Sequence, residues 1–150
     1  MKVDFRNCEY ADLEFILRLK ELCIKWYIEI IYGWNTDVQR EKTKSELDNH
    51  KDDMRIILDD SKPIGVTTFY KKDGTYIMGL IMIHPDYQGT GIGTKIINEY
   101  INIAKNDRSK IITKTYKENP ALKLYKKLGF KRYDEDKTHI HLSMDFNEIK

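Results

Sequence analysis

The stretch HPDYQGTGIGTKII, residues 84–97, puts Gly89, Gly91 and Gly93 within five positions and then turns apolar at helical spacing. Glycine inside a helix costs about 1 kcal/mol against alanine. A chain that places three of them where a helix begins needs its backbone bare there. The usual reason is an anion: the first amides of a helix have no intrahelical partner, and the helix dipole adds to their attraction. Upstream, TYIMGLIMI (75–83) reads as a long apolar strand closed by Pro85, with Gly79 marking a bulge or a close backbone approach. Downstream, Ile92, Ile96, Ile97, Tyr100, Ile101 and Ala104 trace one helical face.

Working outward, VDFRN (3–7) alternates like a strand. Leu13, Ile16, Leu17, Lys20, Cys23, Tyr27 and Ile31 then mark the face of one long helix stopped by Gly33. Thr36 and Asp37 are capping candidates for a second, polar surface helix. MRIIL and GVTTFY read as strands ended by the turn signals DDSKPIG and KKDG. KIITKTY (110–116) is a further strand. NPALKLYKKLGF (119–130) is a short helix with Asn119 as cap, Pro120 in its first turn and Gly129 as its stop. FKRYDE and HIHLSMDF close the order as strands. Hairpins and crossover helices together imply an α/β chain with a mixed sheet.

At 150 residues, without repeats or a linker, the chain is expected to form one domain, 1–150. Its 26 basic and 24 acidic residues nearly cancel, so no charge excess favours nucleic acid or an anionic membrane. No apolar run is long enough to span a bilayer, and MKVDFRNCEY has no signal-peptide core. Cys8 and Cys23 match no metal or CxxC spacing; they read as reduced, structural thiols of a cytoplasmic protein, with a disulfide or a catalytic thiol as the alternatives, and no metal is expected.

Three loop types compete for residues 88–94. A phosphate-binding Walker loop needs Gly-x4-Gly-Lys-Ser/Thr, but Thr94 stands five residues after Gly89 and Ile96 follows Lys95. A dinucleotide GxGxxG loop finds Gly89 and Gly91 but Thr94 in its third place. Gln/Arg-x-x-Gly-x-Gly/Ala is met in full by Gln88-Gly89-Thr90-Gly91-Ile92-Gly93. This resembles the GNAT N-acetyltransferase superfamily. The segment NPALKLYKKLGFKR looks like that family's second signature, and the element order along the chain matches.

The resemblance implies a mostly antiparallel mixed sheet flanked by helices, with a splayed parallel pair, GLIMI and KIITKTY, that binds CoA. It implies acetyl-CoA as acyl donor and direct attack by an amine; sheet-edge homodimers are common in that family, the last strand could provide such an edge, and the oligomeric state stays open. Main-chain groups of Ile81 and Ile83 would meet the pantetheine arm. Gln88, Gly89, Thr90, Gly91, Ile92, Gly93 and Thr94 would hold the pyrophosphate. Asn119 and Lys126 are further cofactor candidates, against a plain helix cap and a solvated lysine. Tyr125 aligns with the tyrosine that often protonates the departing thiolate, against a helix tyrosine that packs on the sheet. The glutamate that many members carry on the strand before the loop is missing from TYIMGLIMI. Glu29, His84, His139 and His141 are substitutes for that base, or a water chain is. Surface and turn roles compete for each of them.

In WYIEIIYGWNTD the aromatic residues Trp26, Tyr27, Tyr32 and Trp34 stand beside Glu29 and Asp37. Each aromatic at helical spacing suits a core; together with the carboxylates they suit a cationic acceptor. The acceptor is then a small-molecule amine or a peptide N-terminus. A CoA-binding module without turnover is the rival reading.

Overall fold

Val3 and Phe5 are half-buried while Asp4 and Arg6 face water, the alternation that makes β1 (Val3–Asn7). In this computed structural model, which describes residues 2–147, β1 pairs antiparallel with β2 (Met54–Asp59). The chain reverses at Asp60 and Ser61, both at positive φ (46° and 74°), into β3 (Lys62–Lys72). A second reversal at Asp73 and Gly74 (φ 51° and 81°) leads into β4 (Thr75–Ile83). Paired positive φ values match the right-handed twist of a hairpin, which is why KKDG works there.

The run after β1 is not the single helix its periodicity suggests. α1 (Leu13–Cys23) and α2 (Lys25–Tyr32) meet at Ile24, whose φ of −128° and ψ of −5° leave the helical range. The break lets Cys23 and Ile24 both pack on the core. α3 (Thr36–His50) is capped by Asn35 rather than by Thr36 or Asp37: its side-chain oxygen accepts from the Val38 amide at 3.0 Å. The capping oxygen must reach the third helical amide, and Asn35 stands three residues before it.

The chain divides into two compact units, Met1–Thr68 with Leu80–Gly93, and Phe69–Gly79 with Thr94–Lys150. In the first, Ile16, Leu19, Leu47, Met54, Ile56, Val66 and Met82 form the core. Lys20, counted on the apolar face, is only 3% exposed, and its ammonium binds Glu46 (2.9 Å) and Thr43 (3.0 Å) of α3. A close backbone approach exists here, at Gly65 rather than Gly79: a Cβ on Gly65 would stand 2.5 Å from the Met82 carbonyl oxygen. Gly79 is exposed.

The second unit is built on β5 (Lys110–Tyr116), β6 (Lys131–Glu135) and β7 (His139–Asp145), with α5 (Ala121–Leu128) and, from Thr94 onward, α4 (Ile92–Asn106). Ile96, Ile97, Tyr100, Ile101 and Ala104 of α4 are buried, as the 3.6-residue period predicts. Tyr100 stacks on Phe69 at 4.0 Å, and Phe69 stacks on Tyr76 at 5.2 Å. Asn119 accepts from the Ala121 amide at 2.9 Å, and Gly129 ends α5 in the left-handed region at φ 112°.

The sheet order is β1-β2-β3-β4-β5-β7-β6, mostly antiparallel, with β4–β5 as its parallel pair. The last strand in sequence, β7, lies between β5 and β6 and so is not an edge; β1 and β6 are.

Candidate functional site

After β4, His84 caps a 3-10 turn, Pro85–Tyr87, its Nδ1 accepting from the Asp86 amide at 3.1 Å. The His84 amide donates to the Ile64 carbonyl at 2.7 Å. His84 is therefore a turn residue here. Gln88 folds its amide back, donating from Nε2 to the Ile83 carbonyl at 2.8 Å. The Cys23 thiol donates to the same carbonyl at 3.4 Å. The Thr90 hydroxyl closes the loop onto the Tyr87 carbonyl at 2.6 Å.

These three bonds brace a loop whose backbone turns at Gly89 (φ 78°) and Gly91 (φ 88°), then enters α4 at Ile92. A left-handed conformation costs an L side chain roughly 1–2 kcal/mol, so glycine is needed at both. Gly93 differs. Its φ is ordinary, and an added Cβ would meet nothing closer than the Ile83 Cδ1 at 3.5 Å. The first turn of α4, which includes Thr94, holds no acidic side chain. Loop residues 88–91 are exposed, Ile92 is buried, Gly93 and Thr94 are half-buried, and the first turn of α4 carries no negative charge of its own.

Strand alternation sets the β4 edges. The His84 amide points to β3, so the main-chain groups of Ile83 and Ile81 point to the opposite edge. The Ile83 carbonyl is already used by Gln88 and Cys23.

In the second unit the parallel ladder covers Thr75 to Ile77 against Lys110 to Ile112. Beyond it the Thr113 hydroxyl donates to the Met78 carbonyl at 3.0 Å. Tyr125 of α5, 5% exposed, packs edge-on to Phe130 and sets its phenol beside Thr113. Burial pushes that phenol up to about 12, against a smaller downward pull from Thr113. Asn119 is the α5 cap described above, and Lys126 faces solvent.

The remaining candidates are dispersed. Glu29 lies on the exposed side of α2, 3.8 Å from Lys25. Of the aromatic group, Trp26 and Tyr32 are 58% and 71% exposed, so they are not core. Tyr27 meets Trp26 edge-on at 5.0 Å. Trp34 bonds the Thr36 hydroxyl at 3.2 Å and lies under the Lys25 ammonium at 5.8 Å. His139 and His141 share one face of β7. His139 stacks on Tyr116 at 4.2 Å, and burial together with nearby Lys114 makes its ring harder to protonate.

Sequence reading missed two partners. Thr113 carries no motif, and its link to Tyr125 appears only once α5 packs on β5. Asp136 lies between FKRYDE and HIHLSMDF, outside both strands read from sequence, and its bond to His141 depends on the β6–β7 register. Among the described residues no His, Cys, Asp or Glu cluster could hold a metal ion, and both cysteines are free. No helix among them is long and apolar enough to cross a membrane.

Known structures share this fold. The PaiA N-acetyltransferase of Thermoplasma acidophilum, solved with coenzyme A, is 19% identical with a TM-score of 0.70, over 97% of this chain and 99% of its own. The ribosomal-protein-S18-alanine N-acetyltransferase of Escherichia coli is 14% identical with a TM-score of 0.71, over 97% and 94%. An N-acetyltransferase of Staphylococcus aureus Mu50 is 18% identical with a TM-score of 0.69, over 94% and 100%. No curated protein sequence matches significantly. The acetyltransferase (GNAT) family model matches residues 17–130, which takes in the braced glycine loop and the Asn119-capped helix, and the chain belongs to that family.

Proposed function

We propose that this chain, working as one domain, transfers an acetyl group from acetyl-CoA to a primary amine by direct attack of the amine on the thioester. The observation that carries the reading is Gly93. Gly89 and Gly91 are explained by their backbone, but nothing in the protein's own packing needs a glycine at position 93. A ligand approaching the first turn of α4 does. The amides of Gly91, Ile92, Gly93 and Thr94 suit a pyrophosphate, each charge-assisted bond being worth roughly 1.5–3 kcal/mol. Gln88 supports them from below by holding the end of β4 rather than by touching the ligand. The Ile81 and Ile83 amides remain for the pantetheine arm, and one of them can polarise the thioester oxygen.

Tyr125 hydrogen-bonds the departing sulfur rather than handing over its proton outright. A phenol at about 12 is a weaker acid than a thiol near 8.5, so full transfer runs uphill while a hydrogen bond does not. Water completes the protonation. An alkylamine near 10.4 costs about 4–5 kcal/mol to deprotonate at pH 7. β4 has no carboxylate for that task.

The acceptor is a small-molecule amine or a peptide N-terminus; the exposed Trp26 and Tyr32, with Tyr27 and Trp34 beside Glu29, support a cationic one. Two free thiols and an acetyl-CoA donor support a cytoplasmic location. The experiment is thiol release from acetyl-CoA across an amine panel, run beside calorimetric titration with acetyl-CoA. Amine-dependent thiol release is expected. Acetyl-CoA binding without any turnover would favour a CoA-binding module instead, a reading the bare β4 supports.

A further inference from the structure

Asp136 sits in the turn between β6 and β7, and its carboxylate is fixed before any ring reaches it. Oδ1 accepts from the amides of Thr138 and His139, both at 2.8 Å, and from the Thr138 hydroxyl at 3.1 Å. Oδ2 meets the Nε2 of His141 at 2.9 Å. These bonds, His141 first, hold the Asp136 carboxyl well below the usual carboxylate range, so it only accepts. Nε2 of His141 must then carry a proton, and in the neutral ring the lone pair lies on Nδ1. Among the described residues Nδ1 has no protein partner, and the side chain is 25% exposed.

The position matters as much as the tautomer. His141 is paired with Lys114 of β5, one residue on from Thr113. Successive residues of a strand face opposite ways. Thr113 therefore presents the Tyr125 phenol on one face of β5, and His141 lies beside the other. Acyl transfer from a thioester has two proton tasks: one at the entering nitrogen, one at the leaving sulfur.

We propose that His141 takes the proton of the attacking amine through Nδ1 and that Asp136 is its positioning residue. This rests on the acetyl-transfer reading above. His141 accepts a proton from the ammonium; the free amine adds to the carbonyl carbon, forming C–N. The C–S bond breaks, the proton lost by nitrogen after addition ends on the thiolate, and His141 returns its own to water. The other candidates are less suited: the Nδ1 of His84 accepts from the Asp86 amide, burial and nearby Lys114 make the His139 ring harder to protonate, and Glu29 lies beside Lys25. The charged and titratable groups facing His141 are Asp136, His139 along β7, Lys114 of β5, and Asp134 and Tyr133 of β6, the last ring centred 6.1 Å away.

The test pairs kinetics with NMR. Acetyl-CoA affinity is measured by calorimetry, and kcat/KM across pH with spermidine, tyramine, L-lysine and an alanine-ended peptide. His141→Gln should lose at least 100-fold in kcat/KM at unchanged acetyl-CoA affinity. Asp136→Asn should lose 10- to 100-fold in kcat with KM for acetyl-CoA unchanged, and should lose the preference of the neutral His141 ring for a proton on Nε2, which a merely structural turn residue would not set. In the free protein, nitrogen-15 NMR should show His141 protonated on Nε2. Wild-type turnover in His141→Gln, or a neutral His141 ring protonated on Nδ1, overturns the proposal, the latter whether or not an amine is consumed. Failure of the wild type to bind acetyl-CoA would instead sink the acetyl-transfer reading.

Discussion

Gly65 and Gly93 are both glycines with ordinary φ, in the same compact unit, yet their surroundings differ. Beside Gly65 the space for a side chain is filled by the Met82 carbonyl at 2.5 Å; beside Gly93 the nearest atom is the end of a flexible isoleucine at 3.5 Å. The first glycine is required by the protein's own backbone. The second is free to change as far as the fold is concerned. A glycine that packing does not require, at the open amide end of a helix, points to something outside the chain.

The comparison can be broken most directly at Gly65. Gly65→Ala must displace a strand carbonyl, an overpacking cost of about 3 kcal/mol. A melting temperature roughly 6–12 °C lower is expected by calorimetry, and an unchanged one would show that the approach of β3 to β4 is not fixed. Gly91→Ala tests the intermediate case, where the backbone rather than a neighbour demands glycine. At φ 88° it should cost about 1–2 kcal/mol in denaturant unfolding and also weaken acetyl-CoA binding. Loss of stability with full affinity would detach the loop's shape from its role.

Tyr125 carries the same distinction into the second unit, since its ring packs and only its hydroxyl serves chemistry. Tyr125→Phe should lower kcat by about 30-fold, some 2 kcal/mol, with KM for acetyl-CoA little changed. Below pH 11 the wild-type profile should show no limb from a phenol displaced to about 12. A loss beyond 1,000-fold would make Tyr125 an obligate acid. An unchanged kcat would leave it a packing residue.

What could be read from sequence was what is encoded locally. The glycine loop and the Asn119–Gly129 helix carry their caps and stops within a dozen residues, and both were placed. The Ile24 break was hidden because the apolar period runs through it from Leu13 to Ile31 with no proline or glycine to mark it. The α3 cap was misplaced by one residue because Asn35, Thr36 and Asp37 are all capping types. Gly65, the Gln88–Ile83 bond and the Asp136–His141 pair depend on which strands become neighbours, which no local pattern records. The interior position of β7 is missed for the same reason: β6 pairs outside it.

The central claim, that the glycine loop is kept bare for the cofactor, is tested most directly by calorimetric titration of acetyl-CoA into the wild type and Gly93→Ala. Thermal melts of both proteins would run beside it. The account predicts that the variant melts at or above the wild-type temperature, by up to about 1 kcal/mol of helix propensity, and binds acetyl-CoA at least tenfold more weakly. Equal affinity in the two proteins would contradict it.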